Sequence, residues 1–227
     1  MSLTSTILTA FCFCAPSMAL PPQWDRLTVN VNLALDRAIT SKTMAPVAME
    51  EATAIWRPYG VDLLWNDATA QAALALDVFV EPSEHRIDIV GMQAVLGRTI
   101  ILPGAGAPRP IRISLAAIDA LLERRHQPGP FLHDIVLATA VGRVVAHEIG
   151  HVLLGAPAFH DVHGLMRTSF IPDDLARMER SQFQLTDRSI ARLRSRIAFL
   201  SQAPPSESCA RPIGAVARWS PAPWSLH

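Results

Sequence analysis

Lysine is nearly absent from this chain: of 20 basic residues among 227, only Lys42 is not an arginine. The arginines are scattered, which reads as a genome-composition bias and not as a phosphate-binding device. The 20 acidic residues bring the net charge to zero, so there is no basic footprint for nucleic acid. Cysteine is also scarce, at three residues: Cys12, Cys14 and Cys209. That excludes a disulfide framework and any cysteine-based zinc site. No internal repeat or compositional break marks a second core. Half of the residues are hydrophobic and 18% are charged, a globular composition and not a disordered one.

Charge is missing altogether from Met1 to Ala19. Ile7 to Ala19 is an apolar run that closes on Ser17-Met18-Ala19, with Leu20-Pro21-Pro22 after it. This is the pattern of a secretory signal peptide without the usual positive n-region, and it is too short for a comfortable membrane span. Neither Cys12 nor Cys14 follows the Leu-small-small run of a lipoprotein. The expected organisation is a leader over 1–19, one domain over 20–201, and a tail over 202–227. Gln202 to His227 holds five prolines and little periodicity, so the tail is expected to be extended or disordered. Removal of the leader would leave Cys209 alone, with no internal disulfide, in a secreted or periplasmic protein.

Between leader and tail, hydrophobic periodicity predicts an alternation of strands and helices. Thr28 to Leu35 alternates apolar Val29, Val31, Leu33 and Leu35 with Asn30 and Asn32, a strand of period two. A helix is expected from Ser41-Lys42-Thr43 to about Arg57, ended by Pro58-Tyr59-Gly60, and Val61 to Trp65 is a second strand. A crossover of this length implies that the two strands are parallel. Further strands are expected at Leu76–Val80, Gly97–Leu102 and Pro110–Leu115, with Arg86–Val90 a short strand or a loop. The proline that opens Pro110–Leu115, and the polar alternation of Arg112 and Ser114, suggest an edge strand. Helices are expected at Ala116–Arg125, from Pro172 to about Arg180, and at Arg188–Leu200 with Ile190, Leu193, Ile197 and Leu200 as its apolar stripe. The expected fold class is therefore α+β: a mixed, twisted sheet with an edge strand over a long helix, followed by a smaller helical C-terminal part.

That long helix, Phe131 to Leu154 with Gly155 as its stop, carries the chemistry. Its end reads Val144-Val145-Ala146-His147-Glu148-Ile149-Gly150-His151. At about 100° per residue, His147 and His151 lie about 40° apart on one face, one turn above the other. Two imidazoles so placed can bind one zinc ion, and Glu148 stands beside the first as a carboxylate able to reach the metal's water without ligating. A His-Glu-x-x-His match arises by chance in roughly 1% of chains of this composition. Here it sits in an otherwise apolar helix, where burying such a triplet is costly. A catalytic zinc needs a third protein ligand, and the chain after Gly155 offers His160, Asp161, His163, Asp173, Asp174 and Glu179.

His-Glu-x-x-His, a helix-stopping glycine, a third histidine and a methionine shortly after, in that order, resemble the metzincin zinc peptidases. The likeness is greatest to secreted bacterial proteins with a His-Glu-x-Gly-His-x-Leu-Leu-Gly pattern followed by a histidine and Gly-Leu-Met-Arg. The matching residues are His147, Glu148, Gly150, His151, Leu153, Leu154, Gly155, His160, Gly164, Leu165, Met166 and Arg167. The likeness extends weakly over residues 28–200 and implies a zincin-like fold, with the mixed sheet lying over a long active-site helix. In metzincins the glycine follows the second histidine by three and the third histidine by six; here the distances are four and nine. The resemblance implies His147, His151 and His160 as ligands of one Zn2+, with His163 or a carboxylate such as Glu179 as alternatives to His160. It implies Met166 as a hydrophobic floor beneath the zinc histidines, and an extended peptide held against an edge strand, for which Pro110–Leu115 is the candidate.

The function so implied is a zinc-dependent endopeptidase, with a zinc-activated water and Glu148 as general base. Tyr59 is the only tyrosine and lies far from the motif, so no tyrosine from the following loop assists an oxyanion; Arg167 or the metal alone would serve. Two other readings stay open: a non-proteolytic zinc-binding protein on the same scaffold, and a zinc hydrolase of another substrate. The presence of Glu148 favours hydrolysis. No nucleic-acid partner and no membrane span are expected.

Overall fold

A computed structural model describes residues 26–35, 41–82, 95–100, 110–123, 130–155 and 159–202. The leader, the 86–90 segment, residues 101–102 of the expected 97–102 strand, and the tail beyond residue 202 lie outside these described residues. The elements run in order β1 (Leu27–Leu35), α1 (Met44–Trp56), β2 (Val61–Trp65), β3 (Leu74–Glu81), β4 (Gly97–Thr99), β5 (Pro110–Ser114), α2 (Leu115–Leu122), α3 (Pro130–Leu153), α4 (Pro172–Ala176) and α5 (Asp187–Gln202). The class is α+β, with a mixed sheet, a long helix behind it and a smaller helical C-terminal part.

The alternation of β1 decides which face of the sheet is covered. Leu27, Val29 and Val31 are buried, whereas Asn30 and Asn32 point the other way. Those asparagines bond to the Asp67 carbonyl (2.8 Å) and to Asp77 Oδ1 (3.0 Å). β1 pairs in parallel with β2, through the α1 crossover, and with β3; β3 pairs in parallel with β5. The apolar residues of β2, β3 and β5 share the buried face, and α1 and α3 pack there in one hydrophobic core.

The strand order is β2-β1-β3-β5-β4, with β4 antiparallel to β5. This corrects the expectation that Pro110–Leu115 is an edge. β5 has β3 on one side and β4 on the other; among the described residues the edge on this side is Gly97–Thr99. The reason lies in what the two cues report. Pro110 opens the strand, where its missing N–H costs little, and its carbonyl still accepts from the Ile100 N–H at 3.1 Å. The polar alternation of Arg112 reports a sheet face open to solvent, where Arg112 pairs with Glu81, and not a free edge.

α3 is long and apolar enough to cross a membrane by length and composition, yet 89% of that stretch is buried within this fold. It lies close against α1. A Cβ on Gly142 would stand 2.6 Å from the Ala48 carbonyl oxygen and 2.8 Å from Glu51 Cβ, so only glycine permits this approach. The buried Arg143 beside it donates from Nε to Glu51 Oε1 at 2.8 Å. It also donates to the carbonyls of Asp174 (2.7 Å), Leu175 (3.1 Å) and Glu179 (3.2 Å), and its guanidinium lies over the Phe183 ring. These bonds account for a second difference. α4 ends at Ala176 and not near Arg180, because carbonyls that a continued helix would use accept from Arg143. α5 matches its expected stripe: Leu193 and Ile197 are buried and Ile190 and Leu200 pack on the core.

Replacing Arg143 with leucine should leave Glu51 Oε1 and three carbonyls without their donor, costing about 3–5 kcal/mol in urea unfolding. Arg180 meets the same carboxylate with its side chain 47% exposed, so Arg180→Ala should cost under about 1 kcal/mol. Equal losses from the two variants would show that Arg143 is not the anchor described.

Candidate metal and catalytic site

α3 delivers His147, Glu148 and His151 at its C-terminal end, all three buried. Gly155 then adopts φ +66, the left-handed conformation that lets the chain leave the helix and turn back. The returning segment places His160, half-buried, beside the helix pair. Nitrogens of His147, His151 and His160 all lie within 4.8 Å of one another. The His147 and His160 rings stack with centroids 5.7 Å apart, and the His151 ring stands edge-on to both.

The two ring nitrogens of His147 have distinct roles. His147 Nδ1 is 2.7 Å from the Leu165 carbonyl, which can only accept. That bond puts the proton on Nδ1 and leaves the Nε2 lone pair free. Nε2 of His151 lies 3.1 Å from Nε2 of His147. In a tetrahedral site with zinc–nitrogen bonds of about 2.0–2.1 Å, two ligand nitrogens stand about 3.3 Å apart. The helix pair stands near that spacing and a His160 nitrogen lies within 4.8 Å of both, so the three imidazoles together fit a single Zn2+. Burial, reinforced by the charge of His151, pushes the His147 pKa down to about 3, so its ring is neutral and able to ligate at neutral pH. Burial also lowers His160, with Asp161 acting in the opposite direction.

The other residues considered as a third ligand lie elsewhere. His163 is exposed and Glu179 is exposed, its carbonyl bonded to Arg143. Asp174 pairs with Arg167 at 2.8 Å, and Asp173 with Arg177. Asp161 accepts from the hydroxyls of Thr186 (2.6 Å) and Ser189 (2.5 Å) in the first turn of α5. Arg167 is not directed at the histidines either: it lies over the Phe170 ring at 4.7 Å, held by Asp174. Tyr59 accepts from the Leu185 N–H at 2.8 Å and serves the packing of the C-terminal part.

Met166 is buried against α3 at Gly150. A Cβ on Gly150 would overlap Met166 Sδ, so the absent side chain of residue 150 is the socket for the thioether. Glu148 stands outside the histidine cluster, under the edge strand. Its Oε2 accepts from the Thr99 hydroxyl at 2.6 Å, and a Cβ on Gly97 would stand 2.8 Å from its Oε1. Burial raises the Glu148 pKa to about 7, with the Thr99 bond opposing. Thr99, Gly97, Phe170 and the Leu165 carbonyl are site features that sequence reasoning missed. Only the hydroxyl of Thr99, between Arg98 and the apolar Ile100, was a visible signal.

Gly150→Ala should cost about 1–3 kcal/mol by overpacking against Met166. Combined with Met166→Ala it should cost less than the sum of the single variants, a coupling readable in a double-mutant cycle of unfolding free energies. Strict additivity would mean that the two residues do not share the space described.

No family model matches the chain, and no curated protein matches it. Among solved structures, the chain is similar to archaemetzincin from Methanopyrus kandleri, at 15% sequence identity and a TM-score of 0.45, over 79% of this chain and 99% of that one.

Proposed function

We propose that the chain is a zinc-dependent peptidase, with His147, His151 and His160 as the metal ligands and Glu148 as general base. The observation that carries this reading is the convergence of three histidine nitrogens within 4.8 Å, next to a buried carboxylate that is not one of the set. When bound, zinc supplies a Lewis acid that acidifies water and polarises a carbonyl. The chain supplies the rest. The Leu165 carbonyl holds His147 in the tautomer that presents Nε2. Glu148 takes a proton from the attacking water and delivers it to the leaving amine.

The edge strand supports a peptide as the substrate. Leu96 O and Ile100 N bond inward to β5, to Ser114 N and Pro110 O. By the alternation of an antiparallel ladder, the N–H and C=O groups of Gly97 and Thr99 point outward. No strand among the described residues pairs with that side. An extended peptide laid there would be held by main-chain bonds, directly beside Glu148.

Zinc analysis and peptide-library cleavage by wild type, Glu148→Ala and His160→Ala test the reading. Wild type should hold one zinc and cleave. Glu148→Ala should keep its zinc and lose about 10²–10⁴-fold in kcat. His160→Ala should lose zinc affinity, whereas His163→Ala should not. Zinc without cleavage of any peptide would favour the non-proteolytic reading, and equal activity in Glu148→Ala would remove the proposed base.

A further inference from the structure

Of the three residues of β4, Gly97 and Thr99 face α3 and Arg98 faces solvent. Thr99 Oγ1 lies 2.6 Å from Glu148 Oε2 and 3.0 Å from the Glu148 main-chain oxygen. A hydroxyl has one proton to give. The carbonyl already serves the helix ladder, and the carboxylate is both nearer and the stronger acceptor. On its other side the carboxylate rests on Gly97, where no side chain would fit. One oxygen is therefore held by a hydrogen bond and the other by van der Waals contact, both from the same strand.

We propose that Thr99 is a positioning residue for Glu148, and that through it the strand that receives the substrate also sets the orientation of the base. This rests on the peptidase reading above. A free glutamate side chain has about 1.5–2 kcal/mol of rotamer freedom to lose. Thr99 removes that freedom in advance, before any substrate binds. The main chain of the same residue belongs to the outward-facing set of the edge. A peptide paired with Gly97 and Thr99 is thereby registered to the carboxylate through a single residue.

The test compares Thr99→Val, which keeps the shape and removes the donor, with Thr99→Ser, which keeps the donor. Both are made in the full chain, and zinc content, kcat and KM are measured for a cleaved peptide. Thr99→Val should retain one zinc per chain and lose about 10- to 100-fold in kcat, the worth of a hydrogen bond to a charged group. KM should stay within about twofold, and Thr99→Ser should recover kcat to within about threefold of wild type. In the zinc-free protein Thr99→Val should lower Tm by about 3–6 °C, and should have no such effect in a Glu148→Ala background.

Wild-type kcat in Thr99→Val, equal impairment in Thr99→Ser, or the same Tm loss with Glu148 removed would each overturn the positioning role. Failure of the peptidase reading looks different: wild type cleaves nothing, or Glu148→Ala cleaves as well as wild type. In that case the melting comparison still decides whether Thr99 holds Glu148, and an unchanged Tm in Thr99→Val overturns the contact itself.

Discussion

A helix buried on nearly all sides must find a partner for every polar group it carries, and α3 carries a whole stripe of them. Thr139, Arg143, His147 and His151 recur every four residues, so they lie along one face of the helix. All four are buried. Thr139 is satisfied locally, by the Ile135 carbonyl. The others look outward: Arg143 to Glu51 and three carbonyls of the C-terminal part, His147 to the Leu165 carbonyl, and both histidines to His160. Leaving a buried charge or donor unpaired costs several kcal/mol. The fold of residues 159–183 is the solution to that constraint.

The segment that returns over the stripe is held at both ends. Asp161 N–H donates to the Met166 carbonyl at 2.8 Å, which closes a small loop with His160 before it and Met166 at its far end. The Asp161 carboxylate fixes the loop to the Thr186 and Ser189 hydroxyls at the start of α5. Met166 reaches into the space left by Gly150, and His160 reaches the helix histidines. One short loop thus brings a candidate ligand and an apolar plug to the same turn of α3. The longer spacing between Gly155 and His160 does not keep His160 from the other two.

Much of this was legible in the sequence because local chemistry and tertiary role coincide. The four-residue histidine spacing, the β1 alternation and the apolar stripe of α5 each mean the same thing before and after folding. The edge strand was misread because proline and polar alternation report the start of a strand and an open sheet face, and edge status depends on a non-local partner. Gly97–Thr99 is three residues long and has little period to read. Arg143 looked like one more arginine among 19, since a scattered charge gives no hint that it will be fully buried. The Leu165 carbonyl could not have been read at all: every residue has one, and only the fold selects it.

His147 and Glu148 are neighbours in sequence, but about 100° separates them around the helix, and this divides the site between two parts of the molecule. The candidate ligands face the C-terminal part, whose loop and carbonyls orient them. Glu148 faces the sheet edge, where Thr99 and Gly97 hold it. Among the described residues, the candidate ligands and the Glu148 carboxylate are therefore supported by separate stretches of chain, with α3 between them. A disturbance in residues 159–183 acts first on the histidines, and one in β4 acts first on the carboxylate. The helix must be rigid for the two halves to stay in register. Its close packing on α1 at Gly142 and the buried bond from the Trp56 indole N–H to the Ala146 carbonyl, one residue before His147, supply that rigidity.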